Sequence, residues 1–301
     1  MAANNANERK ADRRLPVWIC IPLFILVFWI FMMIYGLVAQ GFLSWASGGK
    51  APCPEALRYI LLEGSMLLAV LTAAAVMLWM EKRPFADLGL TLRGHAKGLW
   101  YGLLMACGIY LTGFGLSWAM GEVEVTAIRF QPSDLAGSWL FFLLVALFEE
   151  IMVRGYILGR LLRTSLNKYL SLLLSASLFA LLHIFNPEVA FLPMVNLVLA
   201  GMLLGASCLY TRNLAFPISL HLFWNWIQGP VLGYQVSGNS FLPTMLTLRI
   251  PEANVLNGGA FGFEGSLICT VLLLVCTALI VRWGERRRRR GQSCGTPIML
   301  S

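Results

Sequence analysis

Charge is what this sequence has least of. Charged residues make up 13% of the 301 residues, against 58% hydrophobic, and the mean hydropathy is +0.72. A soluble domain carries about a quarter charged residues, so the shortage excludes an ordinary cytosolic enzyme and a disordered chain. Seven cysteines are present, but no two form a C-x-x-C pair, and a disulfide scaffold is excluded with them. Cys20, Cys107, Cys208, Cys269 and Cys276 fall in apolar runs and read as small packing residues. Cys53 and Cys294 are isolated in loops. There is no G-x-S-x-G elbow and no H-E-x-x-H pair, so neither a serine nucleophile nor a zincin helix is signalled. No fixed-period repeat occurs, and the arginines near the end are the one biased tract.

What is there is a series of long uncharged runs. A helix needs about 20 mostly apolar residues to cross the hydrocarbon core. The runs predict eight spans, near 16–42, 56–80, 98–120, 138–160, 169–186, 190–210, 213–233 and 265–283. They are apolar on all sides, which argues against the alternating strands of a barrel. The expected fold is therefore an all-α polytopic transmembrane bundle. It has an N-terminal tail over 1–15, a bundle over 16–283 and a basic tail over 284–301. The first apolar run is about twice the length of a secretory h-region and reads as a signal anchor.

The basic residues set the orientation. Placing both termini in the cytoplasm puts eighteen of the 23 Lys and Arg residues inside, among them Arg9–Arg14, Lys82, Arg83, Arg93, Lys97, Arg160, Arg163, Lys168, Arg212 and the run Arg286–Arg290. Lys50, Arg58, Arg129 and Arg249 remain outside. This is the positive-inside bias, and it accounts for the net charge of +8. Nucleic acid is not an expected partner, because such patches belong on a folded face with base-reading residues. The arginine run can touch anionic lipid headgroups.

Ionisable groups within spans are costly and are functional candidates by default. The fourth span contains Glu149, Glu150 and Arg154. Glu149 lies roughly 16 Å into the helix, near the midplane. Glu150 and Arg154 are four residues apart and share a face; their plainer reading is a buried ion pair that fixes packing. Glu149 points about 100° away from Glu150 and has no local cation. His183 closes Phe179-Ala-Leu-Leu-His183 in the fifth span, and His221 and Asn225 share a face of the seventh. These side chains can meet if the fourth, fifth and seventh spans are neighbours. Counting along the helices puts His183 several Å nearer the outer leaflet than Glu149, which a tilted or shortened helix would absorb. His95 reads as solvated, and Glu63 as a local ion pair with Arg58. Asn196 reads as an interhelical hydrogen bond, and Gly201-xxx-Gly205 as a close-packing face.

A carboxylate, two imidazoles and an amide around a wet pocket suit hydrolysis. The carboxylate takes a proton from water with help from a His, and a His N–H or an amide receives the oxyanion. A Zn²⁺ set of Glu149, His183 and His221 is the second option. A transporter would favour broken helices and paired repeats, which the sequence does not show.

Glu149-Glu150-xxx-Arg154, Phe179-xxx-His183 and His221-xxx-Asn225, in that order, resemble the CPBP family, also called Abi. This family holds the type II CAAX prenyl endopeptidases and bacteriocin-processing or self-immunity proteins. The resemblance covers about 140–230, with a family-like core at about 138–233. It implies an intramembrane endopeptidase in which Glu149 is the general base aided by His183. His221 and Asn225 would stabilise the oxyanion, and Glu150 and Arg154 would orient the site. The family leaves the cofactor open between none and a divalent metal such as Zn²⁺. The expected partners are membrane lipid and a protein or peptide substrate. The short tails point to a bacterial inner membrane. The alternative is a non-catalytic scaffold or self-immunity factor that retains the motif.

Overall fold

The computed structural model describes residues 15–48, 54–240 and 242–293. The basic residues Arg9–Arg14 and Lys50, together with Cys53 and Cys294, lie outside them. Eight helices account for most of the chain: α1 (Val17–Ala46), α2 (Glu55–Met80), α3 (Lys97–Ala119), α4 (Pro132–Glu150), α5 (Lys168–Leu181), α6 (Phe191–Thr211), α7 (Ala215–Trp226) and α8 (Leu267–Ser293). The all-α expectation holds. Six helices are long and apolar enough to cross a membrane, counting α4 through to Leu161. The other two, α5 with 14 residues and α7 with 12, are shorter than the apolar runs that predicted them.

Two segments depart from α geometry, and the second shortens α7. After Glu150 the fourth helix continues as a π-helical segment, Ile151–Leu158. After Trp226 the seventh does the same over Ile227–Val231, around Pro230, which has no N–H to give to the helix. α8 runs on through the arginines to Ser293. At the other end of the bundle, two strands not expected from the sequence pair antiparallel, β1 (Glu124–Ile128) with β2 (Leu246–Arg249).

Between helices in lipid there is no hydrophobic drive, so close backbone approach and van der Waals contact decide packing. α6 meets α5 at Gly201, where a Cβ would fall 2.8 Å from the Cα of Ala176, and at Gly205, where it would meet Leu172 at 2.4 Å. α3 meets α7 at Gly102, where a Cβ would stand 2.4 Å from the amide nitrogen of Leu220. The core of α1, α2 and α4 is aromatic against small: Phe24 stacks on Tyr156 and Phe28 on Phe148, beside Ala69, Ala73 and Ala74. The reading of Asn196 holds. Its Oδ1 accepts from Thr270 of α8, and its Nδ2 donates to the carbonyls of Glu264 and Ser266. Large apolar side chains such as Trp45, Trp79 and Leu111 stay exposed, as lipid-facing surface does. The chain is an integral membrane protein.

The charged ends of the helices gather at one end of the bundle. Glu81 at the end of α2 accepts from Tyr156 and pairs with Arg160 at 2.8 Å. Asp87 pairs with both Arg83 and Arg163, and Lys168 with Glu285.

Candidate active site

Glu149 and Glu150 close the α-helical part of α4, and their adjacency sends them in different directions. Glu150 is fully buried. Its Oε1 accepts from Arg154 Nη1 at 2.6 Å and shares a 2.9 Å hydrogen bond with His221 Nδ1. Arg154 is also buried, and its Nη2 donates to the carbonyl of Gly201 at 3.2 Å. The close approach of α6 brings that carbonyl within reach. The pair predicted from spacing is therefore present, and it also holds a ring of α7.

Glu149 is placed otherwise. Its side chain lines a cavity of about 340 Å³ between α1, α2, α4, α5, α6 and α7. Its Oε2 is buried and accepts no hydrogen bond. His221 Nε2 lies 3.8 Å from it, which is ion-pair range but too long for a hydrogen bond. His183, His221 and Asn225 line the same cavity. Two helices and the turn after α5 thus bring four of the six expected residues to one space, and Glu150 and Arg154 stand behind it.

His183 does not lie within a helix. α5 ends at Leu181, and His183 sits in the turn that follows, tightened by bonds from the His183 amide to Ala180 and from Ile184 to Leu181. A 14-residue α5 spans about 21 Å. The ring is fixed by Nδ1 donating to the carbonyl of Phe179 at 2.9 Å, and Nε2 is left as the acceptor. Phe179 organises the neighbourhood. The Arg154 guanidinium lies 4.5 Å from its ring centre, His183 stacks at 4.8 Å and His221 meets it edge-on at 6.0 Å.

The same cavity contains carboxylates that sequence reasoning assigned elsewhere or passed over. Glu63 of α2 lines it, and among the described residues it forms no ion pair with Arg58. The signal was available, since Glu63 is an ionisable group in an apolar run. Glu264, just before α8, also lines the cavity. It accepts from Trp224 Nε1 at 2.8 Å, from the Ser237 amide at 2.8 Å and from Ser237 Oγ at 2.7 Å. These three bonds satisfy a buried carboxylate and tie the residue beside Asn225 to the loop 234–240. Asn186 and Asn239 complete a polar end to an otherwise apolar space.

Among the described residues, no three His, Cys, Asp or Glu side chains are grouped as a metal set. His221 Nδ1 is held by Glu150, and its Nε2 is the nitrogen on the Glu149 side.

No curated protein and no solved structure matches the chain. Residues 131–227, from the start of α4 to the end of α7, match the family model described as type II CAAX prenyl endopeptidase Rce1-like, which agrees with the resemblance carried by Glu149-Glu150, His183 and His221-xxx-Asn225.

Proposed function

We propose that the chain is an intramembrane endopeptidase that hydrolyses a peptide bond with water activated by Glu149. The family match supports a CAAX-type protease in general. The observation that carries the finer reading is Glu149 itself: a buried carboxylate oxygen with no hydrogen-bond partner, facing a cavity that also receives two imidazoles and an amide.

Glu149 Oε2 takes a proton from a water that His183 Nε2 holds as acceptor. The water oxygen adds to the carbonyl carbon, and the carbonyl oxygen becomes the oxyanion. Asn225 Nδ2 and His221 Nε2 are the donors for it, and fixed donors in a site that excludes water are worth far more than in solution. With His221 Nδ1 on the Glu150–Arg154 pair, Nε2 can donate when the ring carries both protons. On collapse the C–N bond breaks and the proton held by Glu149 passes to the leaving amine, which restores the carboxylate. No step needs a metal. The mostly apolar lining, including Phe28, Phe141, Phe142 and Phe148, suits an apolar segment of a membrane-associated peptide or protein substrate.

The test is substrate trapping. Membranes from cells expressing Glu149→Gln should accumulate an uncleaved protein or peptide that wild type removes. Activity of wild type on that species should survive a strong chelator. Equal processing by the variant would overturn the proposal in favour of a scaffold or self-immunity role.

A further inference from the structure

A second cavity, of about 930 Å³, lies at the charged end of the bundle. It shares no lining residue with the catalytic cavity. Seven cationic residues line it, Arg83, Arg154, Arg163, Lys168, Arg212, Arg287 and Arg288, against the single carboxylate of Asp87; Arg154 is already paired with Glu150 from behind. Part of this charge is matched locally. Arg83 and Arg163 divide Asp87 between them, and Lys168 is held by Glu285. Arg287 lies over the ring of Trp283, 5.3 Å from its centre, and that contact brings no negative charge. Arg212 and Arg288 pair with no carboxylate among the described residues. Arg212 is also fixed in place, as the left-handed residue that ends α6, with φ of 53°.

Three arginines of one sign facing one space repel each other, and the arrangement calls for an anion. Arg guanidinium groups suit phosphate oxygens in particular, because their forked N–H groups match them two at a time. The setting selects the carrier of the phosphate. The cavity is lined by Lys168 at the start of α5 and by Gly284, Arg287 and Arg288 of α8, and the same two helices carry the exposed apolar side chains Leu170, Leu173 and Leu279. Tyr169 and Trp283 flank it, as aromatic residues do at a headgroup boundary. A phosphate seated among the arginines thus has lipid-facing apolar helix surface directly next to it for acyl chains. Basic pockets between transmembrane helices take anionic headgroups.

We propose that this vestibule binds the phosphate headgroup of an anionic phospholipid. The inference stands apart from the proteolytic reading, and its test does not use activity.

The purified full-length chain in detergent micelles is titrated with phosphatidylglycerol, phosphatidylcholine or glycerol 3-phosphate, and the thermal midpoint is read. Phosphatidylglycerol should raise the midpoint by several degrees and phosphatidylcholine should leave it nearly unchanged. The double variant Arg212→Gln/Arg288→Gln should lose the rise, and Arg212→Lys/Arg288→Lys should keep most of it. If the double Gln variant does not fold, Arg288→Gln alone, an exposed change on α8, should show a reduced rise. Equal shifts with both lipids, or a full phosphatidylglycerol shift in the Gln variants, would overturn the proposal. A glycerol 3-phosphate shift as large as the lipid's would assign the site to a soluble phosphate and overturn the lipid as its occupant.

Discussion

Glu149 and Glu150 are neighbours in sequence and opposites in circumstance. Glu150 is satisfied by a guanidinium and a ring nitrogen, whereas Glu149 has a buried oxygen with no partner. Their variants should therefore differ in kind. Glu149→Gln removes a base and no packing contact. It should lower cleavage by at least about 10²-fold, the lower range for general-base catalysis, with the thermal midpoint little changed. Glu150→Gln leaves Arg154 buried without its countercharge, and breaking such a pair costs about 3–5 kcal/mol. A large fall in thermal midpoint and in folded yield should accompany its loss of activity. Phe179→Ala should resemble Glu150→Gln, because one ring supports Arg154, His183 and His221 together; size-exclusion profiles and thermal melts would show it. Five of the six expected residues were legible in the sequence because a charge or an imidazole in an apolar run is visible without a structure, and Asn225 was legible by its spacing from His221. Their relations were less so. The Glu150–Arg154 pair follows from spacing within one helix. The bond from Glu150 to His221 crosses 71 positions, and no local pattern encodes it. Glu63 was visible as a charge and misread, because Arg58 is near it in sequence while Glu149 is near it in space.

At the scale of elements, both π-helical segments begin at the motifs, one directly after Glu150 and one after Trp226, a residue beyond Asn225. π segments are often found at functional sites. Periodicity does not reveal them in runs that are apolar all round, since any face of such a helix reads alike. The same uniformity hid the true ends of α5 and α7. Glycine spacing was more informative. Gly201-xxx-Gly205 marks the contact of α6 with α5, and Gly98-xxx-Gly102 does the same for α3 on α7 and went unread. Gly201 has a double role, since its carbonyl also receives Arg154. Gly201→Leu should force α6 off α5, with overpacking of about 1–3 kcal/mol, and should weaken the hold on Arg154. The expected result is lower activity together with a lower thermal midpoint. Phe191→Ala, an exposed change on the same helix, should leave both nearly unchanged.

The whole molecule has two ends of different chemistry. The basic side chains and the vestibule they line occupy one. The cavity lined by Glu149 reaches toward the other, at Asn186, Ser237 and Asn239. The all-α bundle was legible from charge-free runs. The small sheet and the loop 234–264 that caps this end were not, because their order comes from long-range bonds such as Ser237 to Glu264. If the basic end is cytoplasmic, the catalytic cavity opens toward the opposite leaflet. On a background with the native cysteines replaced, Thr126→Cys should react with an impermeant maleimide in intact cells. Arg93→Cys should react only after permeabilisation. The reverse pattern would turn the molecule over.

The most direct test of the account is the cleavage of the trapped substrate by purified protein in lipid vesicles, wild type beside Glu149→Gln, with chelator present. The account predicts cleavage by wild type and none by the variant, with both equally folded. Cleavage by Glu149→Gln, or loss of wild-type cleavage on chelation, would contradict it.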